Sequence, residues 1–196
     1  MEATDTERRV RRPRPEWLLD LERVDVAVYA AIASTPTPAL DRTMRRLTRA
    51  ADNAQLSLGA SALLVLTRGR RGLRAAGSGL ASVAVTATIV NAVIKPIAGR
   101  RRPDPAAQQV PVARLARMPR HPSFPSGHTA SAFAFASGVS HVLPREALPL
   151  YALATIVAYS RVHTGVHFPA DVVAGSVLGS ALGGITAHRL ARRRSQ

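Results

Sequence analysis

The chain contains no cysteine among its 196 residues. This absence excludes a disulfide scaffold, an iron–sulfur cluster, a thiolate zinc site and a cysteine nucleophile. Aromatic residues are scarce at 4% of the chain, although apolar residues as a whole make up 46%. Acidic residues are also few: 12 Asp and Glu stand against 27 Lys and Arg, which gives a formal charge of +15. A positive charge of this size is typical of proteins that contact nucleic acid or an anionic membrane surface.

Six stretches of the sequence carry no Asp, Glu, Lys or Arg, and arginine clusters separate most of them. They are rich in Ala, Val, Leu, Gly and Ser and show no strict alternation of polar and apolar residues, which favours helices over strands. The six runs are 26–40, 53–67, 75–94, 122–144, 147–160 and 172–187. We therefore expect an all-α fold, a bundle of about six short helices in a single domain.

The uncharged runs also suggest a membrane bundle. Several are shorter than the ~20 residues that usually cross a bilayer, so a soluble alanine-rich bundle is the alternative. We favour the membrane, because soluble helices normally place charges on their outer face. Gly175, Gly179 and Gly183 recur at intervals of four, a spacing that lets helix backbones approach closely in membrane bundles.

The segments outside the runs are basic. Residues 1–15 are polar, arginine-rich and broken by proline, so we expect a disordered basic arm there and no signal peptide. A single helical membrane domain is expected at 16–190, followed by a basic tail at 191–196. Two short amphipathic helices are expected at the membrane interface: one around Trp17 to Val24 and one bearing Arg42, Arg45, Arg46 and Arg49. The loop at 99–121 is long enough to be functional.

Three polar clusters lie at the ends of the runs. Their notable residues are Lys95 and Arg102 after the third run, Ser126, Gly127 and His128 at the start of the fourth, and Arg161, His167 and Asp171 between the fifth and sixth. If successive helices are antiparallel and joined by short loops, the three clusters meet at one end of the bundle.

These residue types suit phosphate chemistry. The three cations, with the backbone amides of Ser126 and Gly127 at a helix N-terminus, match an oxyanion that spreads its charge during transfer. Asp171 follows His167 by four residues, so its carboxylate can orient one ring nitrogen and leave the other free to attack phosphorus. His128 can protonate the leaving oxygen and later activate the hydrolytic water.

The three clusters together resemble the signature of the type 2 phosphatidic acid phosphatase superfamily, which includes lipid phosphate phosphatases, bacterial acid phosphatases and vanadium haloperoxidases. That pattern is Lys, six residues, Arg-Pro; then Pro-Ser-Gly-His; then Ser-Arg, five residues, His, three residues, Asp. The matching residues are Lys95, Arg102 and Pro103, then Pro125 to His128, then Ser160, Arg161, His167 and Asp171.

The resemblance implies a role for each matched residue. His167 is the nucleophile, Asp171 is its partner and His128 is the acid. The phosphate is held by Lys95, Arg102, Ser126, Gly127 and Arg161. The resemblance implies no metal and no other cofactor.

Several residues have a simpler explanation when taken alone. Ser126 is also a good helix cap, and the run from Arg100 to Arg102 can be an interfacial charge cluster. His163 precedes His167 by four residues, a spacing found in metal sites, but no acidic cluster completes a ligand set. The arginines of the long loop, Arg114, Arg117 and Arg120, either attract an anionic head group or are merely solvated.

We expect a metal-independent phosphatase of the cell membrane that acts on a lipid phosphate through a phosphohistidine. The candidate substrates are phosphatidic acid, phosphatidylglycerophosphate, and a polyprenyl phosphate or diphosphate, and nucleic acid is not an expected partner. The alternatives are an acid phosphatase for soluble esters or a vanadate-binding relative on the same scaffold, and a non-catalytic basic membrane-binding protein. The arginine distribution places the active site on the extracytoplasmic face of a multi-pass protein.

Overall fold

The computed structural model describes residues 15–107, 110–119, 121–194 and 196. Nearly all of the expected basic arm at 1–15 lies outside these residues, as does Arg120. The described part of the chain folds into six main helices without a strand, which confirms the all-α prediction. They are α1 (Glu16–Ser34), α2 (Pro38–Ala50), α3 (Gln55–Thr88), α4 (Gly127–Ser140), α5 (Ala147–His163) and α6 (Pro169–Arg194).

Helix α3 is a hairpin rather than a rod. Gly69 adopts φ 52° and ψ −128°, which breaks the helix. A Cβ atom on Gly72 would lie 1.9 Å from the carbonyl oxygen of Leu64, whereas residues eight apart on one straight helix are separated by about 12 Å. The chain therefore reverses at Gly69, and the two arms correspond to the predicted runs 53–67 and 75–94.

The second arm of α3 ends at the first polar cluster. It continues through a π-helical turn, Ile89–Ile94, and a final α-helical turn, Lys95–Ala98. Gly99 then ends the helix with φ 56°, a left-handed conformation that glycine adopts without a steric penalty. Lys95 is buried at this end of the bundle, while Ile97 is exposed.

Helix α4 lies at the centre of the bundle and packs most closely against α6. Ala130 and Ala134 of α4 are completely buried. Cβ atoms on Gly175, Gly179 and Gly183 of α6 would lie 2.7, 2.2 and 2.7 Å from carbonyl oxygens of Ser126 and of these two alanines. The predicted close approach at the three glycines is therefore confirmed, and it has no room for a larger residue.

The first uncharged run does not form one helix, because the chain breaks between α1 and α2 at a segment that contains Pro36. The second half of α1 lies at the end of the bundle that carries the polar clusters, where the Tyr29 hydroxyl donates to the carbonyl oxygen of Gly165 at 3.3 Å. Helix α2 is amphipathic as predicted: Met44 and Thr48 are buried, whereas three of its four arginines are exposed.

Two helical segments of the described chain, Gln55–Ala98 and Pro169–Arg193, are long and apolar enough to cross a membrane. The first of these is the α3 hairpin with its extension. Helix α1 also exposes an apolar stripe, in which Trp17, Leu21 and Val24 are 63%, 58% and 60% exposed. Helix α6 continues to Arg194, so most of the expected basic tail is helical.

Candidate active site

A cavity of about 380 Å³ opens between the α3 hairpin, α4 and α5. One end of it is polar, and its lining there includes Lys95, Arg102, Gly127, His128 and His167. These residues come from all three clusters of the sequence. The antiparallel arrangement of the helices thus brings the clusters together, as their positions at run ends suggested.

His167 lies in the short loop between α5 and α6, with its two ring nitrogens in different surroundings. Nδ1 is 3.5 Å from Asp171 Oδ2 and 3.3 Å from the Ser123 hydroxyl oxygen. Nε2 is 3.2 Å from Arg102 Nη1. Burial lowers the pKa of His167 to about 4, and the positive charge of Arg102 acts in the same direction, against the hydrogen bond with Asp171. The ring is therefore neutral near pH 7, and the carboxylate favours the tautomer with the proton on Nδ1.

The Asp171 carboxylate is completely buried and held by several donors. Its Oδ1 accepts a hydrogen bond from Arg100 Nη1 at 2.7 Å. Its Oδ2 accepts from the Ser123 hydroxyl at 2.5 Å and from the Phe168 backbone N–H at 2.9 Å. These contacts fix the carboxylate beside the imidazole. Sequence analysis did not single out Ser123, and nothing in its local sequence marks it apart from its position just before the Pro-Ser-Gly-His motif.

Arg100 connects this carboxylate to α1. Its Nη2 donates to Asp25 Oδ2 at 2.5 Å, and the guanidinium lies 4.4 Å from the centre of the Phe168 ring. Asp25 Oδ1 in turn accepts from the backbone N–H of Ala170 at 2.8 Å. Burial alone would lower the pKa of Arg100, but the two carboxylates raise it. Arg100 is therefore an internal ion-pair residue and not part of an interfacial charge cluster.

Arg102 is held at the cavity by backbone carbonyl groups. Its Nε donates to the His121 oxygen at 2.8 Å, its Nη1 to the Val166 oxygen at 3.0 Å and its Nη2 to the Pro122 oxygen at 3.4 Å. Burial lowers the pKa of Arg102, and Asp171 partly offsets this; a guanidinium nevertheless remains charged at any physiological pH. The side chain is thus a fixed cation next to His167 Nε2.

Lys95 reaches the first turn of α4. A Cβ atom on Gly127 would lie 3.3 Å from its Nζ, so the glycine leaves room for the ammonium group beside the helix terminus. The free N–H groups and the dipole of a helix N-terminus also favour an anion. The lysine and the helix therefore present positive potential to the same part of the cavity.

Ser126 caps α4. Its Oγ accepts from the Thr129 backbone N–H at 3.4 Å and from the Thr129 hydroxyl at 2.9 Å. Its own backbone N–H donates to the carbonyl oxygen of Asp171 at 2.9 Å. A contact of this amide with phosphate stays a prediction, because the amide here donates to Asp171; the hydroxyl hydrogen is the other donor of Ser126.

His128 lies in the first turn of α4 and pairs with an acid that sequence analysis missed. Its Nε2 is 2.8 Å from Asp52 Oδ1. Arg161 Nη1 lies 3.9 Å from the same oxygen and donates to the Thr48 hydroxyl at 2.7 Å. Arg161 is buried, and its Nε has no hydrogen-bond partner among the described residues. The third predicted cation thus lies close to His128 and Asp52, with one donor unused.

His163 belongs to a separate buried cluster. Its Nε2 is 3.0 Å from Asp41 Oδ1, which also accepts from Arg114 Nε at 2.7 Å and from the Thr37 hydroxyl at 3.0 Å. These donors lower the pKa of Asp41 despite its burial. The cluster joins α2 to α5 and to the long loop. Arg114 is therefore structural, so neither proposed role of this loop arginine, head-group attraction or solvation, is correct.

The chain also matches a known protein family. The family model described as the PAP2 superfamily matches residues 76–195. The chain belongs to the PAP2 superfamily. The matched segment runs from the second arm of α3 to the end of α6 and contains all three polar clusters. This confirms the resemblance seen in the sequence and the expectation of a phosphoric ester hydrolase.

Individual PAP2 proteins resemble the chain over most of its length. Decaprenylphosphoryl-5-phosphoribose phosphatase from Mycobacterium tuberculosis is 35% identical over 169 residues, which are 83% of this chain and 89% of that protein. A transmembrane PAP2 type phosphatidylglycerolphosphate phosphatase from Bacillus subtilis has a similar structure, with a TM-score of 0.65 at 24% identity over 89% of this chain and 87% of that one. LpxE from Aquifex aeolicus matches with a TM-score of 0.65 at 24% identity, over 83% and 94% of the two chains.

The structural matches confirm the helical PAP2 fold. The likeness to PAP2 membrane phosphatases, together with two helical segments long and apolar enough to cross a bilayer, suggests a membrane protein.

Proposed function

We propose that the chain hydrolyses a phosphomonoester or terminal diphosphate of a membrane lipid through a phosphohistidine on His167. The observation that carries this proposal is the two-part character of the cavity. Its polar end holds the two histidines, Lys95 and Arg102, and the remainder is mostly apolar: Ala60, Val83, Ala87, Leu150, Leu153 and Val157. An apolar channel that adjoins a phosphate site suits a substrate with a hydrocarbon chain better than a soluble ester.

In the first step, His167 Nε2 attacks the phosphorus atom. The Asp171 carboxylate keeps the proton on Nδ1 and stabilises the positive charge that the ring acquires as the N–P bond forms. Arg102 lies 3.2 Å from Nε2, so phosphoryl oxygens bound to its guanidinium are brought to the attacking nitrogen. Lys95 and Arg161 supply further positive charge for the equatorial oxygens of the transition state.

Bond cleavage and hydrolysis require a proton donor and then a base. His128 in its protonated form gives its proton to the oxygen of the departing lipid as the P–O bond breaks. The neutral ring then takes a proton from water, and the hydroxide attacks the phosphohistidine and releases phosphate and neutral His167. The proton returns to His128, so the cycle is balanced without another reactant.

For the substrate we propose a phosphomonoester on a polyprenyl-linked or glycerol-linked head group. The M. tuberculosis relative is named for a phosphoribose carried by a decaprenyl phosphate, and it covers 83% of this chain. A polyprenyl-phosphosugar therefore ranks first among the substrates to test, ahead of phosphatidylglycerophosphate, phosphatidic acid and polyprenyl diphosphate.

We also propose a multi-pass topology with the active site on the extracytoplasmic face. At the site end, Lys95, Arg100, Arg102, Arg114 and Arg161 are engaged inside the protein. The exposed arginines at that end include Arg42, Arg46, Arg49, Arg101 and Arg117. At the opposite end, exposed arginines flank the helix turns and the end of α6: Arg68, Arg70, Arg71, Arg74, Arg145, Arg189, Arg192 and Arg193. An excess of exposed basic residues favours the cytoplasm for that end. Because the chain lacks cysteine, Arg70→Cys and Arg101→Cys can be labelled separately with an impermeant maleimide in intact cells; labelling of position 70 alone would contradict this topology.

The function is tested by phosphate release from detergent-purified protein with EDTA present. The panel contains a polyprenyl-phosphosugar phosphate, phosphatidylglycerophosphate, phosphatidic acid, polyprenyl diphosphate and a water-soluble ester. We expect release from at least one lipid, acid-labile labelling of the protein by radioactive phosphate, and loss of both in His167→Ala. His141→Ala, an exposed histidine on α4's far end, is the matched control and should behave as wild type.

A different pattern would defeat the proposal. Turnover that survives in His167→Ala removes the phosphohistidine. Release from the soluble ester alone would favour an acid phosphatase. Absence of all turnover, with membrane binding that falls steeply as salt increases, would favour the non-catalytic basic protein.

A further inference from the structure

Asp52 is an acidic residue at the active site that lies outside every motif of the sequence. It begins the one-turn helix Asp52–Ala54 between α2 and α3. Its carboxylate oxygen Oδ1 is 2.8 Å from Nε2 of His128, and His128 lines the polar end of the cavity.

Two cations near His128 explain why a carboxylate beside the ring matters. Arg161 Nη1 lies 3.9 Å from Asp52 Oδ1, and a Cβ atom on Gly127, the residue before His128, would lie 3.3 Å from Lys95 Nζ. Like charges disfavour a protonated imidazole, and an adjacent carboxylate favours it. A ring that must carry a proton to the leaving oxygen therefore needs a negative partner, and Asp52 is the carboxylate in contact with it.

Asp52 has a second neighbour, which supplies the competing explanation. Arg161 Nη1 lies 3.9 Å from the same oxygen, but this nitrogen already donates to the Thr48 hydroxyl at 2.7 Å. The contact with His128 is the shorter by more than an ångström and lies within hydrogen-bonding distance. The histidine is thus the main partner of the carboxylate.

We propose that Asp52 is a positioning residue that holds His128 oriented and protonated for transfer to the leaving group. This inference rests on the proposed function, in which His128 is the general acid. It gives each histidine its own carboxylate: Asp171 for the nucleophile and Asp52 for the acid. The two pairs serve different steps, so their loss should have different kinetic signatures.

Loss of Asp52 should slow the hydrolysis of an ester with a poor leaving group more than that of an ester with a good one. An alkoxide departs only with a proton, whereas para-nitrophenolate is stable enough to depart without one. Asp52→Asn retains the shape of the side chain and removes its charge. We expect kcat/KM for benzyl phosphate to fall about 10- to 100-fold, a fraction of the 10²–10⁴ that general acid catalysis contributes. The value for para-nitrophenyl phosphate should change by less than about 3-fold, since the first step then needs no acid.

Two further variants serve as controls for the comparison of the two esters. Asp52→Glu keeps the charge and should recover part of the loss with benzyl phosphate. Asp20→Asn removes an exposed carboxylate that pairs with Arg23 of the same helix, and it should match wild type with both esters. Phosphohistidine formed from para-nitrophenyl phosphate is measured in every variant, because this ester needs no acid and therefore reports folding and the nucleophile independently of leaving-group protonation.

Two results would overturn the role of Asp52. An equal loss with both esters means that Asp52 acts on phosphate binding through Arg161 or on the fold. An unchanged value with benzyl phosphate means that His128 does not depend on it. Failure of the proposed function looks different, because wild-type protein would then form no phosphohistidine or His167→Ala would retain turnover.

Discussion

The ion pairs of Arg100 predict a strong link between α1 and the nucleophile. Replacement of Arg100 by Met preserves the stacking surface over Phe168 but removes the cation shared by Asp25 and Asp171. Both carboxylates are buried, at 6% and 0% exposure, and breaking a buried ion pair from one side costs about 3–5 kcal/mol. Each carboxylate keeps at least one backbone N–H donor, so we expect about 3 kcal/mol, the lower end of that range.

A double-mutant cycle separates this electrostatic effect from a loss of packing. Asp25→Asn alone leaves Arg100 paired with Asp171. Arg100→Met leaves the carboxylates of Asp25 and Asp171 without their cation, and the added Asp25→Asn change removes one of these two unpaired charges. The free energy of unfolding of the double variant should therefore fall by about 1–3 kcal/mol less than the sum of the two single effects. The measurement is equilibrium unfolding in mixed micelles, with kcat measured on the same samples.

Additive effects would refute this reasoning. They would mean that Arg100 and Asp25 do not interact in the folded protein despite their contact. A large loss of kcat in Arg100→Met without a loss of stability would also contradict it, because Asp171 would then be displaced without the predicted cost of an unpaired buried charge.

Three further predictions follow from single contacts. Gly183→Ala should destabilise the protein by at least about 1–3 kcal/mol, because its Cβ would lie 2.7 Å from the Ala134 oxygen. A Cβ on Gly184 meets nothing within 4 Å, so Gly184→Ala should be neutral or slightly stabilising. Thermal unfolding compares the two variants. On the acid side, the rate of phosphohistidine formation should fall as pH decreases through about 4, where His167 becomes protonated, rather than near 6.5; pre-steady-state labelling against pH tests this. Asp171→Asn should lower kcat by about 10²-fold or more but leave more activity than His167→Ala, since the nucleophile remains and only its orientation and charge stabilisation are lost.

The sequence was most informative where a rule depends only on local spacing. Five of the six uncharged runs predicted helices, whereas the first is broken between α1 and α2. The four-residue interval from Gly175 to Gly183 predicted the close packing of α6. The ordered clusters predicted which residues meet at the cavity, because antiparallel helices bring alternate ends together. The turn at Gly69 agrees with this prediction, because it separates runs 53–67 and 75–94, which were predicted to be two helices.

The residues that sequence analysis missed act across long separations. Asp25 pairs with Arg100 from 75 residues away, and Asp52 reaches His128 from a different helix. No periodicity or motif links such positions, because their contact depends on how α1 and the α2–α3 turn dock at the site end. Arg114 was misjudged for the same reason: it lies in a polar loop, yet the loop folds inward and pairs it with Asp41.

The placement of the catalytic groups at helix ends explains why tight packing and chemistry depend on each other in this fold. His128 is in the first turn of α4 and Asp171 is in the first turn of α6. A hydrogen bond from the Ser126 backbone N–H to the Asp171 carbonyl oxygen joins these two starts directly. The glycines of α6 then fix the register of the two helices over the following turns. A shift of α6 against α4 would therefore move Asp171 relative to His128, so in the proposed mechanism the glycine spacing affects the geometry of the reaction as well as the stability of the bundle.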